Sequence, residues 1–434
     1  MVERTRIQPP TTRVVVAMLL ALITLLVLTP APPAAAATST EIVAGNASYQ
    51  SRRTSGAAVY DSVSKNTYVA WSGEGMDVYI RSYSHVTSTW ATIKKVAEWN
   101  DSSTYAYHDY TVLELLPNGK LAIFVADHTT SLVQYTSPTA NSASGTWTKT
   151  TISTDKVTYP EPVVVGSNIH LFYSRNDDLT WPYRSYKAMT STDSGQTWGA
   201  SRTVIDTGRS ADKFSEVYAF SGSPIGGKAC VTWTLAGGTG HNAQAKNLYA
   251  ACLDPSTNTM HGLGGQNLGT TIDLAEHETA KVLTAATSTA AARPIDLSSL
   301  TWDPNTNQYL LGVGYTLDGI KRVDVGRVGT TGVSWTRVVT GTTQLRDVVW
   351  NGQGAEVLVV SSDSTRIGTY QVAGTTVSAL TDQAIPYGTS GANSVWTANF
   401  VENRQSVSFV GYTMESSTRT TNYTGAWPVF AGMR

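Results

Sequence analysis

Residues 111–125 read TVLELLPNGKLAIFV: an apolar run, a Pro-Asn-Gly turn, and a second apolar run. Read alone, the stretch is one β-hairpin, because Asn-Gly supplies the positive φ that a tight turn needs. Its recurrence decides the fold. The same run–turn–run pattern returns at AAVYDSVSKNTYVAW (57–71), PVVVGSNIHLFY (162–173) and VYAFSGSPIGGKACVTW (217–233). It returns again at LTWDPNTNQYLLGVGY (300–315), VVWNGQGAEVLVVS (348–361) and ANFVENRQSVSFVGY (398–412). Several units continue into a third and fourth strand near a Trp, as in STWATIKKV, GTWTKTTI, QTWGASRTVI and VSWTRVV. Four strands repeated over these hairpins predict an all-β, seven-bladed β-propeller with four-stranded antiparallel blades. The segment EIVAGNASY, near residue 41, is expected to pair with the last blade, since an open ring would leave a long unpaired edge. Helical periodicity is confined to AEHETAKVLTAATSTAAA (275–292), an inter-blade insertion.

Composition fits this reading. Glycine, with 36 residues, and tyrosine, with 21, favour many short strands and turns. Arg4, Arg6 and Arg13 precede the apolar run Val14 to Leu28, and small residues follow at Ala35 and Ala37. The pattern predicts a secretory signal peptide over 1–37 and so a secreted, extracellular protein; the repeats fill a single propeller domain over 38–434, expected to be a monomer. No later stretch is apolar enough to span a bilayer. With 31 Lys and Arg against 32 Asp and Glu, no basic patch points to nucleic acid. Cys230 and Cys252 lie in two β-like runs on either side of GGTGHNAQA, so a disulfide is expected in that compartment, with free thiols as the alternative.

Residues 191–198, STDSGQTW, fit Ser-x-Asp-x-Gly-x-x-Trp between the third and fourth strands of the third unit. The pattern is that of the Asp-box. Asp193 is expected to accept turn amides, Gly195 to take positive φ, and Trp198 to pack between sheets, a structural role remote from the chemistry.

The chemistry is sought where strand ends converge on the channel mouth. His108 and His128 bracket the hairpin of the second unit, and Tyr159 and Tyr173 that of the third, with Arg175 and Arg184 close behind. His241 lies in a loop of the fourth unit, and Asn247 and Tyr249 open its next strand. Trp181 is a candidate for sugar stacking. Such groups suit removal of the C5 proton of a uronic acid. His or Tyr exchanges protons, while an Arg or an imidazole offsets the second negative charge that develops. No paired carboxylates of the glycosidase type stand out at that rim.

HDYTVLELLPNGKLAIFVADH, TYPEPVVVGSNIHLFYSR, WPYR before the Asp-box and GHNAQAKNLYAA occur in this order in BNR-repeat propeller proteins, and the chain resembles that group over about residues 55–265. The group includes lyases acting on ulvan and on rhamnosyl-glucuronate linkages. The resemblance implies an extracellular polysaccharide lyase that cleaves a glucuronate-containing glycan by β-elimination. In it His108, Tyr173, His128 and Arg184 would be catalytic, with Arg175 as the alternative guanidinium. Arg175, His241, Asn247, Tyr249, Trp181 and Tyr159 would bind substrate, His241 assisting at the leaving side. The acidic pair that precedes the first histidine in those lyases is Ala106–Tyr107 here. The resemblance implies no cofactor for the chemistry and, in some relatives, a structural calcium, for which the sequence singles out no ligands. A propeller glycoside hydrolase, rhamnosidase- or sialidase-like, and a non-catalytic glycan-binding propeller are the alternative readings.

Overall fold

The structure, a computed structural model, describes residues 38–47, 56–99, 110–126, 129–178, 183–206, 216–237, 246–284, 295–329, 332–341, 343–386, 393–415 and 427–434. These residues are almost entirely strand. The chain begins with β1 (Ser39–Ala47). A first group follows: β2 (Ala58–Asp61), β3 (Asn66–Ser72) and β4 (Val78–Ser84), with β5 (Thr89–Trp90) and β6 (Lys94–Ala97) both on β4. The second group is β7 (Tyr110–Leu115), β8 (Leu121–Ala126), β9 (Thr130–Thr136) and the first half of β10 (Thr148–Val165). The third is the second half of β10, β11 (Asn168–Asp178), β12 (Tyr183–Ser191) and β13 (Arg202–Ile205). The fourth is β14 (Glu216–Ile225), β15 (Lys228–Ala236) and β16 (Lys246–Asp254), with β17 (Thr259–Gly262) and β18 (Lys281–Leu283) on β16. Then come β19 (Ile295–Asp303), β20 (Gln308–Leu317), β21 (Ile320–Gly329) and β22 (Gly332–Gly341). After them come β23 (Thr343–Trp350), β24 (Ala355–Ser361), β25 (Arg366–Ala373) and β26 (Thr376–Ala384). The last group is β27 (Asn393–Phe400), β28 (Val407–Glu415) and β29 (Trp427–Met433), with β1 on its outer edge.

Within each group successive strands pair antiparallel, as short turns require. β1 pairs with β29, as expected from the edge it covers. The second to fourth groups form one continuous hydrogen-bonded sheet, because β10 runs on from one group into the next and Arg184 on β12 bridges Glu216 on β14 in parallel.

Apolar side chains alternate to both faces of these sheets, so each core lies between neighbouring groups. Val59, Tyr68 and Ile80 of the first group pack on Leu113, Ile123 and Val133 of the second. Val43 and Val429 of the last pack on Val69 and Trp71 of the first. Backbone bonds join the same two ends: Tyr60 N donates to Glu402 O at 3.2 Å, and Glu402 N to Ala58 O at 3.4 Å. A cavity of about 240 Å³ is lined by residues of the first strand of every group, among them Ala58, Glu114, Val163, Ser299, Asp347 and Phe400. Glycine makes some of this packing possible. A Cβ on Gly411 would stand 2.3 Å from the Phe430 ring.

Cys230 and Cys252 face each other directly on β15 and β16 and are disulfide-bonded. In the STDSGQTW turn, Asp193 Oδ1 accepts from Gln196 N and Thr197 N, and Oδ2 from Thr197 Oγ1. These bonds, the Thr197 hydroxyl first, bring the Asp193 carboxyl down to about 2. Gly195 takes φ 78°, and Trp198 donates to Gln134 of β9 while its ring meets Phe124 edge-on. The turn therefore ties the third group to the second.

The helix expected over 275–292 is shorter. It is α1 (Leu274–Ala280), started by a capping box between Asp273 and Glu276. It stops at Lys281 because Lys281 and Leu283 pair with Tyr249 and Leu248 as strand β18. Residues 285–292 of that stretch lie outside the described residues, as does the expected signal peptide.

Candidate active site

Of the residues expected at the mouth, His108, His128, Trp181 and His241 lie outside the described residues. Tyr159, Tyr173, Arg175, Arg184, Asn247 and Tyr249 are placed, and they fall into three clusters.

The first cluster forms where β10 passes from the second group to the third. The register breaks between Thr158 and Glu161, and Tyr159 at this bulge has φ 60°. A non-glycine residue in that region stores strain, and bulges re-aim side chains. The Tyr159 ring lies beside Tyr218 of β14, centroids 6.1 Å apart. Arg184, at the start of β12 and 2% exposed, sets its guanidinium 4.4 Å from the Tyr218 ring centre and 5.2 Å from that of Tyr159. It also donates to the Tyr159 side chain. Its Nε and Nη1 are buried without hydrogen-bond partners. Burial opposes the charge on Arg184, but Tyr218, Tyr159 and Glu216 outweigh it, and its pKa stands above the ordinary arginine value. The cluster is thus a permanent buried cation between two phenols.

The second cluster holds Tyr173. The sequence reading puts its hydroxyl at the channel mouth; the structure instead buries the whole side chain between the second and third groups. Its hydroxyl donates to Asp155 Oδ2 at 2.9 Å, an oxygen that also takes Lys187 Nζ at 3.0 Å. Burial, aided by Asp155, pushes the Tyr173 phenol up to about 12, against hydrogen bonds with Ser201 and Ser153. Tyr173 faces Lys187 across the β11–β12 pair. Side chains alternate along a strand, so Arg184, three residues before Lys187, leaves by the opposite face. The two residues expected to act together are therefore on opposite sides of one sheet. Arg175, two residues beyond Tyr173, is 41% exposed, its Nε 3.9 Å from Asp155 Oδ1.

The third cluster holds Asn247 and Tyr249. Asn247, at φ 57°, donates through Nδ2 to the Tyr249 hydroxyl at 3.2 Å. The Tyr249 ring is buried rather than open to a sugar, stacked on Trp233 with centroids 5.6 Å apart. His277 of α1 completes the cluster, 5.1 Å from the Tyr249 ring. Burial, resisted by Glu278 and Asp273, brings its imidazole down to about 4, so it is neutral at pH 7.

The sequence reading did not single out Tyr218, His277 or the carboxyls of the central cavity. There, burial pushes Asp347 up to about 6, against hydrogen bonds from Ser299, Phe400 N and Val348 N. Burial and Glu402 together hold Glu114 well above the usual carboxylate range. No periodic or motif signal marks these positions. Among the described residues no cluster of three His, Cys, Asp or Glu side chains offers a set of metal ligands, so none can be named for calcium.

A sequence profile described as "BNR repeat-containing family member" matches residues 66–311. No curated protein matches the chain. Among solved structures, the chain is similar to an ulvan lyase described as a new family of polysaccharide lyase, solved bound to a glucuronate–rhamnose 3-sulfate ligand. The TM-score is 0.70 at 14% identity, covering 91% of this chain and 94% of that one. A further polysaccharide lyase gives a TM-score of 0.60 at 11% identity, covering 91% and 98%. At such identities the likeness shows a shared propeller-type fold.

Proposed function

Because the chain belongs to the BNR repeat-containing family, we propose that it is a seven-bladed propeller polysaccharide lyase that cleaves a glucuronate-containing glycan by β-elimination. The blades are the groups of strands above, β1 completing the last. The apolar leader Val14–Leu28 supports export, and rhamnosyl-glucuronate is the preferred linkage, since the similar ulvan lyase was solved with such a ligand.

One observation carries the reading: the buried Arg184 guanidinium set against the strained Tyr159. Elimination needs a base for the C5 proton, and a phenol serves only if a nearby cation lowers its proton affinity. Tyr159 has that cation; Tyr173, bound to Asp155, has the opposite environment. Tyr159 thus takes the proton-transfer role that the sequence reading gives to Tyr173. Arg184, fully buried, supports the phenol, while the half-exposed Arg175, beside Asp155, meets the uronate carboxylate. His108 and His128 share the proton transfer and carboxylate binding, and His241 the leaving side. The C5–H electrons form the new C4–C5 double bond as the C4–O bond breaks, and the leaving oxygen takes a proton.

Incubation with glucuronate-rich polysaccharides should generate the ultraviolet absorbance of an unsaturated uronide, lost in Tyr159→Phe. Release of reducing ends without that absorbance would replace the lyase with a hydrolase.

A further inference from the structure

The outer edge of the third group carries two hollows that the reaction above leaves unused. The first, about 320 Å³, lies on the side of the fourth group and is lined by Asn168, His170, Thr190, Thr192, Arg202 and Asn258, among others. The second, about 380 Å³, lies on the side of the second group, against Thr151, Ser153, Thr154, Asp155 and Ser201. Met189, Gly199 and Ala200 line both, so one ridge separates them. Gly199 and Ala200 are small and exposed, and the ridge is therefore low.

Arg202 opens β13 and lines the first hollow. Its Nη1 donates to Thr270 O, and its Nη2 to Asn258 O at 3.1 Å and Asn258 Oδ1 at 2.9 Å. Every one of these partners is neutral, and a guanidinium has further N–H donors to give, so its charge is unmatched there. The carboxylates of the two flanking turns are held elsewhere. Asp193 takes Ser191 Oγ and Thr197 Oγ1 of its own turn, and Asp254 takes Lys228 Nζ at 3.2 Å. His170 of β11, 2% exposed, stands in the wall of the same hollow, its Nδ1 3.0 Å from Thr190 Oγ1. Burial first, and then the charge of Arg202, hold its imidazole below the ordinary histidine value, so it is neutral at pH 7. The first hollow thus offers one positive charge among amides and hydroxyls, which suits a singly charged oxyanion. In the second hollow Asp155 carries both Lys187 and Arg175, so its carboxylate does not repel an acidic chain. Because Arg175 is the group that meets the uronate carboxylate, this hollow leads from the mouth to the ridge.

We propose that an acidic polysaccharide lies along this edge, with sugar hydroxyls over Asp155, Ser153 and Ser201 and one singly charged oxyanion, a uronate carboxylate or a sulfate ester, on Arg202. The chain crosses the third group at Gly199 and Ala200, where no long side chain stands in its way. The placement rests on the lyase reading for the identity of the polymer and extends its binding well past the reacting bond. His170 is five residues along β11 from Arg175, so the anion pocket is about 17 Å from the mouth. A second contact on one polymer raises the apparent affinity for long chains over short ones.

The test uses the whole chain carrying Tyr159→Phe, so that the ligand survives whether or not the unmodified chain eliminates. The probes are glucuronate–rhamnose oligosaccharides with and without sulfate esters, and a neutral oligosaccharide of equal length. His170, assigned by its loss in His170→Gln, is titrated by NMR. An anion on Arg202 cancels the charge that depresses His170, so its midpoint should rise with an acidic probe and hold still with the neutral one. An anion at the mouth would not move it, because charges more than about 8 Å apart are largely screened at physiological salt. In calorimetry Arg202→Gln, and Ala200→Glu on the exposed ridge, should each weaken binding of the acidic probe about tenfold. A His170 midpoint unmoved by both acidic probes at saturation overturns the proposal. So does a shift produced by inorganic sulfate and by neither oligosaccharide, or unchanged binding in both variants. A His170 shift in a chain that shows no elimination upholds the pocket and removes only the lyase reading.

Discussion

Replacing Arg184 with Met removes a full charge whose centre lies 5.2 Å from the Tyr159 ring. At an effective dielectric of about 20, a unit charge about 5 Å away is worth about 3 kcal/mol to an anion. If Tyr159 is the base, the acidic limb of kcat/KM against pH should move up in Arg184→Met, and the rate at neutral pH should fall about a hundredfold. Arg184→Lys keeps the charge and should hold the limb near its original pH. Tyr218→Phe should leave it in place, although that ring lies nearer the guanidinium. Stability needs a separate control, because Arg184→Met removes a cation that acts on the buried Glu216, and loss of a charge facing a buried carboxylate is destabilising. Adding Glu216→Gln should recover most of that loss in denaturant unfolding without restoring the pH limb. A large fall in rate with the limb unmoved would refute the tuning of Tyr159 by Arg184.

Tyr173→Phe should cost about 1 kcal/mol of stability, the worth of one hydrogen bond to Asp155, and spare most of the turnover, whereas Tyr159→Phe should abolish it. The reverse order in steady-state kinetics would return the proton to Tyr173. Cys230 and Cys252 close a loop with a sequence separation of 22, so replacing both by Ser should destabilise the chain by about 3 kcal/mol in chemical denaturation. Asp347 is raised from 3.8 to about 6, so its contribution is fully present below pH 3.8 and is lost as pH rises through 6. Unfolding free energy should therefore fall by about 2–3 kcal/mol from this group between those limits, and Asp347→Asn should flatten that part of the profile. Glu114, raised by burial and by Glu402, acts in the same direction.

Hairpins, turns and strand edges were legible in the sequence because each is a local property. The Pro-Asn-Gly of residues 117–119 forces a turn between β7 and β8 whatever surrounds it. Cys230 and Cys252 oppose each other because their two strands are neighbours. The pairing of β1 with β29 follows from the need to cover an edge. The site was legible only in its residue types. Alternation along a strand says that Tyr173 and Arg184 have sides, but the register between β11 and β12 decides that those sides are opposite. The bulge at Tyr159 is a backbone irregularity that no spacing in TYPEP encodes, and it decides which phenol meets the guanidinium. Arg404 and Arg434 stand 30 residues apart. Only the antiparallel return of β29 beside β28 brings Arg434, whose backbone N donates to Ser406 O, back to the turn that carries Arg404, because such contacts are set by neighbours in space rather than along the chain.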